Sequence, residues 1–444
     1  MNATCSEQHR TACGVGGLFT ALAIERCLPI MHCGPGCFGN VSATLGSMNG
    51  GQSGETYLGS VIPSTNFCED DVVFGGTERL RKLIGECEKY YDADMFFIVD
   101  GCTAEIVGDD IGEAASEWAG SEKPVLYASL PGFKGNNVRG HEQVLSAIAE
   151  QYLKPARGTD PKQVNIFGVV PFFDPMWAGS LDALEELLTR MGLKPNIIYG
   201  RERGVANVDK IPAAGFNLVI APWTDLSLAE RLKEMFGTPY LHFDNLPIGP
   251  TETARFIRSV VDYADLDRGV AEDYIKREED RFYYYMRRSY PWIFSCKNFP
   301  RKFIVNAASA AAVSVVRFAV NDLGLIPSRV YITDGTPKEH EDMISEQLRR
   351  VDYDEDFDVI FTEDGGLFEE SIKNEDFSIR KICVFGSAWD LVPAKKYKLT
   401  FVSVAAPYGD RMVGSRTYFG YEGALRFCED LYANAADNIV DPGI

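Results

Sequence analysis

Histidine is scarce in this sequence: five residues, at 9, 32, 141, 242 and 340, with no two at a metal-type spacing. A zinc hydrolase or another histidine-based catalyst therefore has little to stand on. Cys-x-x-Cys knuckles are missing as well, and Cys33 with Cys37 is the only close pair, which argues against structural zinc. Positive charge is in deficit, 44 Lys+Arg against 64 Asp+Glu, a net −20 that repels nucleic-acid phosphate and anionic lipid. Neither nucleic acid nor a membrane is expected as a partner. The most apolar long run, residues 303–320, carries Asn306, Ser309, Ser314 and Arg317, costly in hydrocarbon, and reads as a strand leading into a buried helix. The opening MNATCSEQHRTACGVGG has no basic region followed by an apolar one, so a cytoplasmic location without disulfides is expected.

What is abundant is cysteine, and it is unevenly placed. Of eleven, eight fall at 5, 13, 27, 33, 37, 68, 87 and 102, and only three, at 296, 383 and 428, in the rest of 444 residues. A reducing compartment leaves metal ligation, thiol chemistry or burial as the ways to read them.

Short β-rich runs alternate with amphipathic helical stretches, the pattern of parallel sheets covered by helices. The expected fold class is α/β, with three Rossmann-like domains, each a parallel sheet flanked by helices. The first, residues 1–158, has strands at 28–33, 95–99 and 124–128 and helices at 14–26, 76–89, 104–114 and 140–151. Pro, Gly and charge at 153–162 mark its end. The second, 159–265, has strands at 164–170, 196–199, 218–221 and 240–243 and helices at 180–191 and 226–236. The third, 266–444, opens with a Tyr-rich helical connector at 273–288. Strands at 302–305, 329–332, 358–362, 382–386 and 399–404 and a closing helix at 421–435 follow.

Three cysteines share one setting. Cys102 follows the strand MFFIVDG and opens a helix, so its thiol lies at the carboxyl end of a strand and beside helix-start amides that favour thiolate. Cys37 follows another strand across Gly34-Pro35-Gly36, and Cys13 precedes the helix that starts at Gly14. Core packing is the ordinary fate of a free cysteine and suits Cys27, Cys87, Cys296, Cys383 and Cys428. It suits Cys13, Cys37 and Cys102 poorly, because each adjoins glycine at an element boundary. Widely spaced thiolates without knuckles fit an iron–sulfur cluster. A cubane's fourth ligand is left to Cys33, Cys68, a non-cysteine group or another chain.

Other motifs are weaker. Gly34-Pro35-Gly36 and Gly14-Val15-Gly16-Gly17 lack the Lys-Ser/Thr of a P-loop and the spacing of a dinucleotide loop. Asp109-Asp110 reads as helix capping in preference to a metal site. Trp223 ends a strand, at a cavity wall or in packing.

ACGVGGL around Cys13, HCGPGC around Cys37, DDVVFGGTERL at 70–80 and DGCTAEIVGDDI around Cys102 resemble, in order and spacing, the cluster-binding domain of nitrogenase component 1 subunits. The similarity continues through VNIFGVVPFF, LVIAPWTD, FDNLPIGPTETARFI and FGYEGALRF, over nearly the whole chain. The resemblance implies an α2β2 assembly in which Cys13, Cys37 and Cys102 hold one half of an interfacial cluster, a P-cluster of 8Fe–7S type or a 4Fe–4S cubane, shared with an α-type partner. Gly36 and Gly101 are expected to let backbone crowd it. A separate ATP-hydrolysing 4Fe–4S reductase is the implied electron donor. Pro222 and Phe419 stand near the positions where α-type chains carry the cysteine and histidine of the catalytic cofactor, so this chain is similar to the β-type subunit. It departs from molybdenum-type β subunits in lacking their long N-terminal extension, in having Gly132 where a serine ligand is expected, and in its additional Cys33 and Cys68. The reading favours a nitrogenase-like reductase of methylthio-alkanes or dinitrogen, ranks a tetrapyrrole reductase below it because those chains often diverge in the later domains, and keeps a cofactor-assembly scaffold as the alternative.

Overall fold

In the computed structural model, which describes residues 8–47, 50–52, 62–174, 176–295, 299–373 and 382–440, the strands form three sheets and every strand pair is parallel. The first sheet has the order β1 (Cys27–His32), β2 (Met95–Asp100), β3 (Val125–Ser129). Every residue of β1 and β2 is buried, because helices cover both faces. Leu28, Ile30, Phe96 and Ile98 pack on one face, and Met31, Met95, Phe97 and Val99 on the other. The second sheet contains β4 (Asp160–Phe167), β5 (Lys194–Asn196), β6 (Ala214–Val219) and β7 (Tyr240–His242) in the order β5-β4-β6-β7. The third contains β8 (Lys302–Ala307), β9 (Ile326–Ile332), β10 (Asp358–Phe361), β11 (Ile382–Gly386) and β12 (Thr400–Ser403) in the order β10-β9-β8-β11-β12. In these two sheets the first strand in sequence lies inside, so the chain reverses direction beside β4 and beside β8. Crevices open at the carboxyl ends there.

The α/β class stands as expected, with differences at the ends of elements. The helix expected over 14–26 is a 3-10 turn, Gly14–Gly17, followed by a short α-helix, Leu18–Ala23. The glycines explain the tight turn: a Cβ on Gly17 would lie 2.5 Å from the Gly140 carbonyl group. The helix expected over 104–114 is split into Cys102–Val107 and Ile111–Ser116, because Gly108 adopts a left-handed conformation, φ +85°. Asn136 caps the helix Asn137–Gln151 three residues earlier than expected. The connector is one long helix, Arg268–Ser295, and the closing helix is Gly420–Val440. The run at 303–320 is a strand, a helix (Ser309–Arg317) and a π-turn (Phe318–Asp322), mostly buried. Helices Pro35–Ser47, Glu69–Phe74, Gly249–Tyr263 and Lys338–Arg349 were not expected. No helix among the described residues is long and apolar enough to cross a membrane.

Buried ion pairs join the sheets. Arg10 donates to Asp390 Oδ1 at 2.7 Å and to Ser387 Oγ at 2.6 Å, fixing the segment before Cys13 to the end of β11. Arg317, 1% exposed, holds Asp244 through two bonds of 2.7 Å and Glu252 at 3.1 Å. Burial opposes ionisation of Asp244, but Arg317 and Arg255 outweigh it and hold this carboxyl well below the usual range. Arg317→Met leaves Asp244 without this partner in the interior, so unfolding free energy is expected to fall by about 3–5 kcal/mol, read from denaturant midpoints. The pH dependence follows from the depressed value: the contribution is complete above about pH 4 and is lost as pH falls through the folded-state pKa.

Candidate metal centre

The loops after all three strands of the first sheet meet at one edge, and each brings a piece of the site. After β1, Cys33 is buried and Cys37 sits in the first turn of Pro35–Ser47, where Pro35 supplies the preset φ of a helix start. After β2, Gly101 takes an extended conformation, φ −111° and ψ −179°, and Cys102 begins Cys102–Val107. After β3 comes Gly132, whose N–H donates to Cys102 Sγ at 3.1 Å. Cys13 arrives from the N-terminal side as the cap of Gly14–Gly17. It is held there by Asn137, whose Oδ1 accepts from Ala12 N at 2.8 Å while its own N–H donates to the Ala12 carbonyl at 3.0 Å.

Two glycines make the cradle possible. A Cβ on Gly132 would stand 2.5 Å from Cys13 Sγ and 3.7 Å from Cys102 Sγ. A Cβ on Gly101 would stand 2.9 Å from Cys33 Cβ and 3.5 Å from Cys37 Sγ. One side of the cradle is thus Cys13, Gly132 and Cys102, the other Cys33, Gly101 and Cys37. Gly36 is different: it is exposed, and a Cβ there would meet nothing within 4 Å, so this chain itself supplies no crowding at that position.

The thiols feel one another. Burial pushes the Cys13 thiol up, and the nearby Cys102 and Cys37 sulfurs push it further. Cys33 hydrogen-bonds to Cys37, which lowers Cys37 to about 6, while the same partner and burial hold the Cys33 thiol up. Cys33 therefore acts as a buried donor behind Cys37. Among the described residues no three His, Cys, Asp or Glu side chains converge closely enough for one metal ion. Half-buried Cys13, Cys37 and Cys102 suit a larger, several-atom group, and soft thiolates around a glycine-lined cradle with an inward N–H are the donor set of an iron–sulfur cluster.

The surroundings are open. A cleft of about 1090 Å³ runs from Cys13 and Gly132 past Lys134 and Asn136 to Trp223 and Glu363. Trp223 is buried on the cleft's wall, donating to Ser309 Oγ at 3.1 Å and stacking on His340. On the helices Glu69–Phe74 and Cys102–Val107, which contact each other beside Cys68 and Cys102, the apolar side chains of Val72, Val73, Phe74 and Ile106 are exposed, Phe74 to 84%.

The other residues singled out in the sequence fall elsewhere. Cys68 is exposed ahead of Glu69–Phe74, its sulfur accepting from Arg79 at 3.2 Å. Cys27, Cys87, Cys383 and Cys428 are buried in the core, and burial pushes Cys27, Cys87 and Cys428 up to about 12. Cys5 and Cys296 lie outside the described residues. Asp110 is the expected cap, accepting from Glu113 N, whereas Asp109 is not a cap of its own helix. Gly132 stands out in the sequence only as a departure, and Asn137 not at all. The signal for both was their place in the loop and helix start after the third strand of the same sheet.

Gly132→Ala is expected to cost about 1–3 kcal/mol and to displace the Cys13 sulfur, read by thermal unfolding and by the alkylation rate of Cys13. Gly36→Ala, in open space at a helix start, is expected to be neutral or stabilising by up to about 1 kcal/mol.

Comparison with known proteins matches the geometry to a family. Residues 13–435 match the family described as Nitrogenase component 1 type Oxidoreductase. A light-independent protochlorophyllide reductase subunit from Synechococcus sp. (strain JA-3-3Ab) is 25% identical over 81% of this chain and 70% of its own length. The nitrogenase molybdenum-iron protein beta chain of Methanococcus maripaludis is 23% identical over 94% of this chain and 91% of its own. The nitrogenase iron-molybdenum cofactor biosynthesis protein NifE of Nostoc sp. (strain PCC 7120) is 28% identical over 54% and 50% respectively. The structure titled "Nitrogenase Cp1 at pH 6.5" superposes with a TM-score of 0.83 over 100% of this chain and 96% of its own, at 19% identity, and shows the fold. The lower rank given to tetrapyrrole reductases finds no support here, since a protochlorophyllide reductase chain is among these relatives. The chain belongs to the nitrogenase component 1 type oxidoreductases.

Proposed function

We propose that this chain is the β-type subunit of a nitrogenase-like, ATP-dependent reductase of the cytoplasm, with domains 1–158, 159–265 and 266–444. It holds half of an iron–sulfur cluster, of 8Fe–7S or 4Fe–4S type, against an α-type partner. The observation that carries the reading is the gathering of Cys13, Cys37 and Cys102 at one sheet edge around Gly101 and Gly132, with Cys13 and Gly132 on the wall of a cleft large enough for a partner's residues. When bound, the cluster supplies one-electron uptake and release. Cys13, Cys37 and Cys102 would be its ligands in this chain. Gly132 N–H and the Cys33 thiol donate toward Cys102 and Cys37, draining charge from the sulfurs. Gly101 lets backbone approach where any side chain would collide. The exposed apolar surface at Val72, Val73, Phe74 and Ile106 offers the reductase component a contact beside the thiols.

Substrate chemistry is assigned to the partner. The cavity where the second and third sheets meet is about 90 Å³, walled by Trp177, Ile220, Val404 and Phe419. That is less than the about 150 Å³ that accepts a benzene ring, and by the resemblance Phe419 stands near the position of the α-type histidine, with no metal-binding atom to offer. A methylthio-alkane or dinitrogen is the proposed substrate class. The alternative, a cofactor-assembly scaffold with the same three thiols, draws on the similarity to NifE.

Cys102→Ala is expected to abolish the visible absorbance of the co-purified heteromer and to weaken its assembly, and unchanged iron per chain would sink the assignment. Turnover with the cognate reductase and ATP separates enzyme from scaffold.

A further inference from the structure

The Gly-Asp-Asp that follows the Cys102 helix contains a carboxylate that none of the roles above uses. Asp109 is 4% exposed at its side chain, and its oxygens gather donors from two other segments. His32 Nε2 lies at 3.0 Å, the Gly76 N–H reaches both oxygens at 2.9 and 3.0 Å, and Thr77 Oγ1 donates at 3.1 Å. A helix cap serves the start of its own helix. Asp109 instead ends one segment and binds others 77 and 33 positions away in sequence.

Every partner leads to a thiol or to the exposed apolar surface. His32 is the last residue of β1, next to Cys33, and its carbonyl accepts the N–H of Gly101 at 3.0 Å, next to Cys102. Gly76 and Thr77 begin the helix Thr77–Tyr90, directly after the exposed Phe74. The two glycines are what let the carboxylate reach this backbone. A Cβ on Gly75, at φ +91°, would stand 3.0 Å from Asp109 Oδ1. A Cβ on Gly76 would stand 3.1 Å from Oδ2 and 2.6 Å from the Phe67 ring, which itself packs edge-on against His32 at 4.8 Å. The buried carboxylate thus has its charge met by four donor contacts, the arrangement in which hydrogen bonds are strongest.

We propose that Asp109 is a positioning residue that locks the Cys37 and Cys102 segments and the Phe74 surface into one body, so that the sulfur cradle and the surface beside it move together. This rests on the reading that Cys37 and Cys102 hold a cluster, and the test separates the two. Asp109→Asn, with Asp110→Asn as the control that removes the neighbouring charge while keeping a local cap, is prepared in the full chain co-purified with its partner. Amide hydrogen exchange, iron per chain and the midpoint potential from mediator titration followed by electron paramagnetic resonance are measured. The expected result is exchange faster by roughly tenfold or more at Gly76 and Thr77 and at residues 102–108 together, with iron per chain unchanged and the midpoint potential shifted relative to both wild type and Asp110→Asn. Faster exchange confined to Gly76 and Thr77, or a potential equal to the control's, would overturn the proposal. Thr77→Val removes a single donor and is expected to give the same pattern at smaller size if Asp109→Asn is insoluble. A wild-type complex without iron refutes the cluster reading, and the exchange pattern then still decides whether Asp109 joins the segments.

Discussion

Parallel pairing of β1, β2 and β3 is the constraint from which the site follows. Parallel strands cannot be joined by tight turns, so each loop at the carboxyl edge must lead away into a helix. With both faces of the sheet covered, that edge is where backbone amides and small side chains remain available to a ligand. Cys37, Cys102 and Gly132 are brought together by this one geometric rule. They need no contact in sequence, only equivalent places after neighbouring strands.

Glycine turns that edge into a site. Gly101 and Gly132 stand where a Cβ would collide with a sulfur or its carbon, and Gly75 and Gly76 stand where one would crowd Asp109 or the ring that supports it. The cost is conformational freedom in the unfolded chain, and buried ion pairs at Arg10 and Arg317 stiffen the surrounding body. The acidic charge of the chain is thereby partly consumed inside: Asp390, Asp244 and Glu252 are held by guanidiniums, and Asp109 by neutral donors.

The α/β class and the three loops carrying Cys13, Cys37 and Cys102 were legible in the sequence, because apolar runs bounded by glycine signal strand ends directly. Helix boundaries were less so. The stretch 104–114 has the composition of one helix, and only the left-handed Gly108 divides it, a conformational fact that composition does not carry. Gly36 and Gly101 look alike in sequence, yet one faces open space and the other faces two cysteines. Cys33 and Cys68 look equal in sequence too, but burial separates them: Cys33 lies behind Cys37, and Cys68 is on the surface beside Arg79. Asp109 could not be distinguished from Asp110, since its partners at His32 and Gly76 are distant in sequence.

The strap formed by Arg10 has a consequence for how the protein is made. Its guanidinium is fastened to Asp390, 380 positions along the chain, and Cys13 follows three residues later. During synthesis from the N-terminus the first sheet can assemble early, with Cys37, Cys102 and Gly132 already at its edge. Cys13 can dock on Asn137 at that stage, but the segment before it gains its anchor at Asp390 only after the end of β11 has emerged, so the N-terminal side of the cradle is the last part of that edge to be fastened.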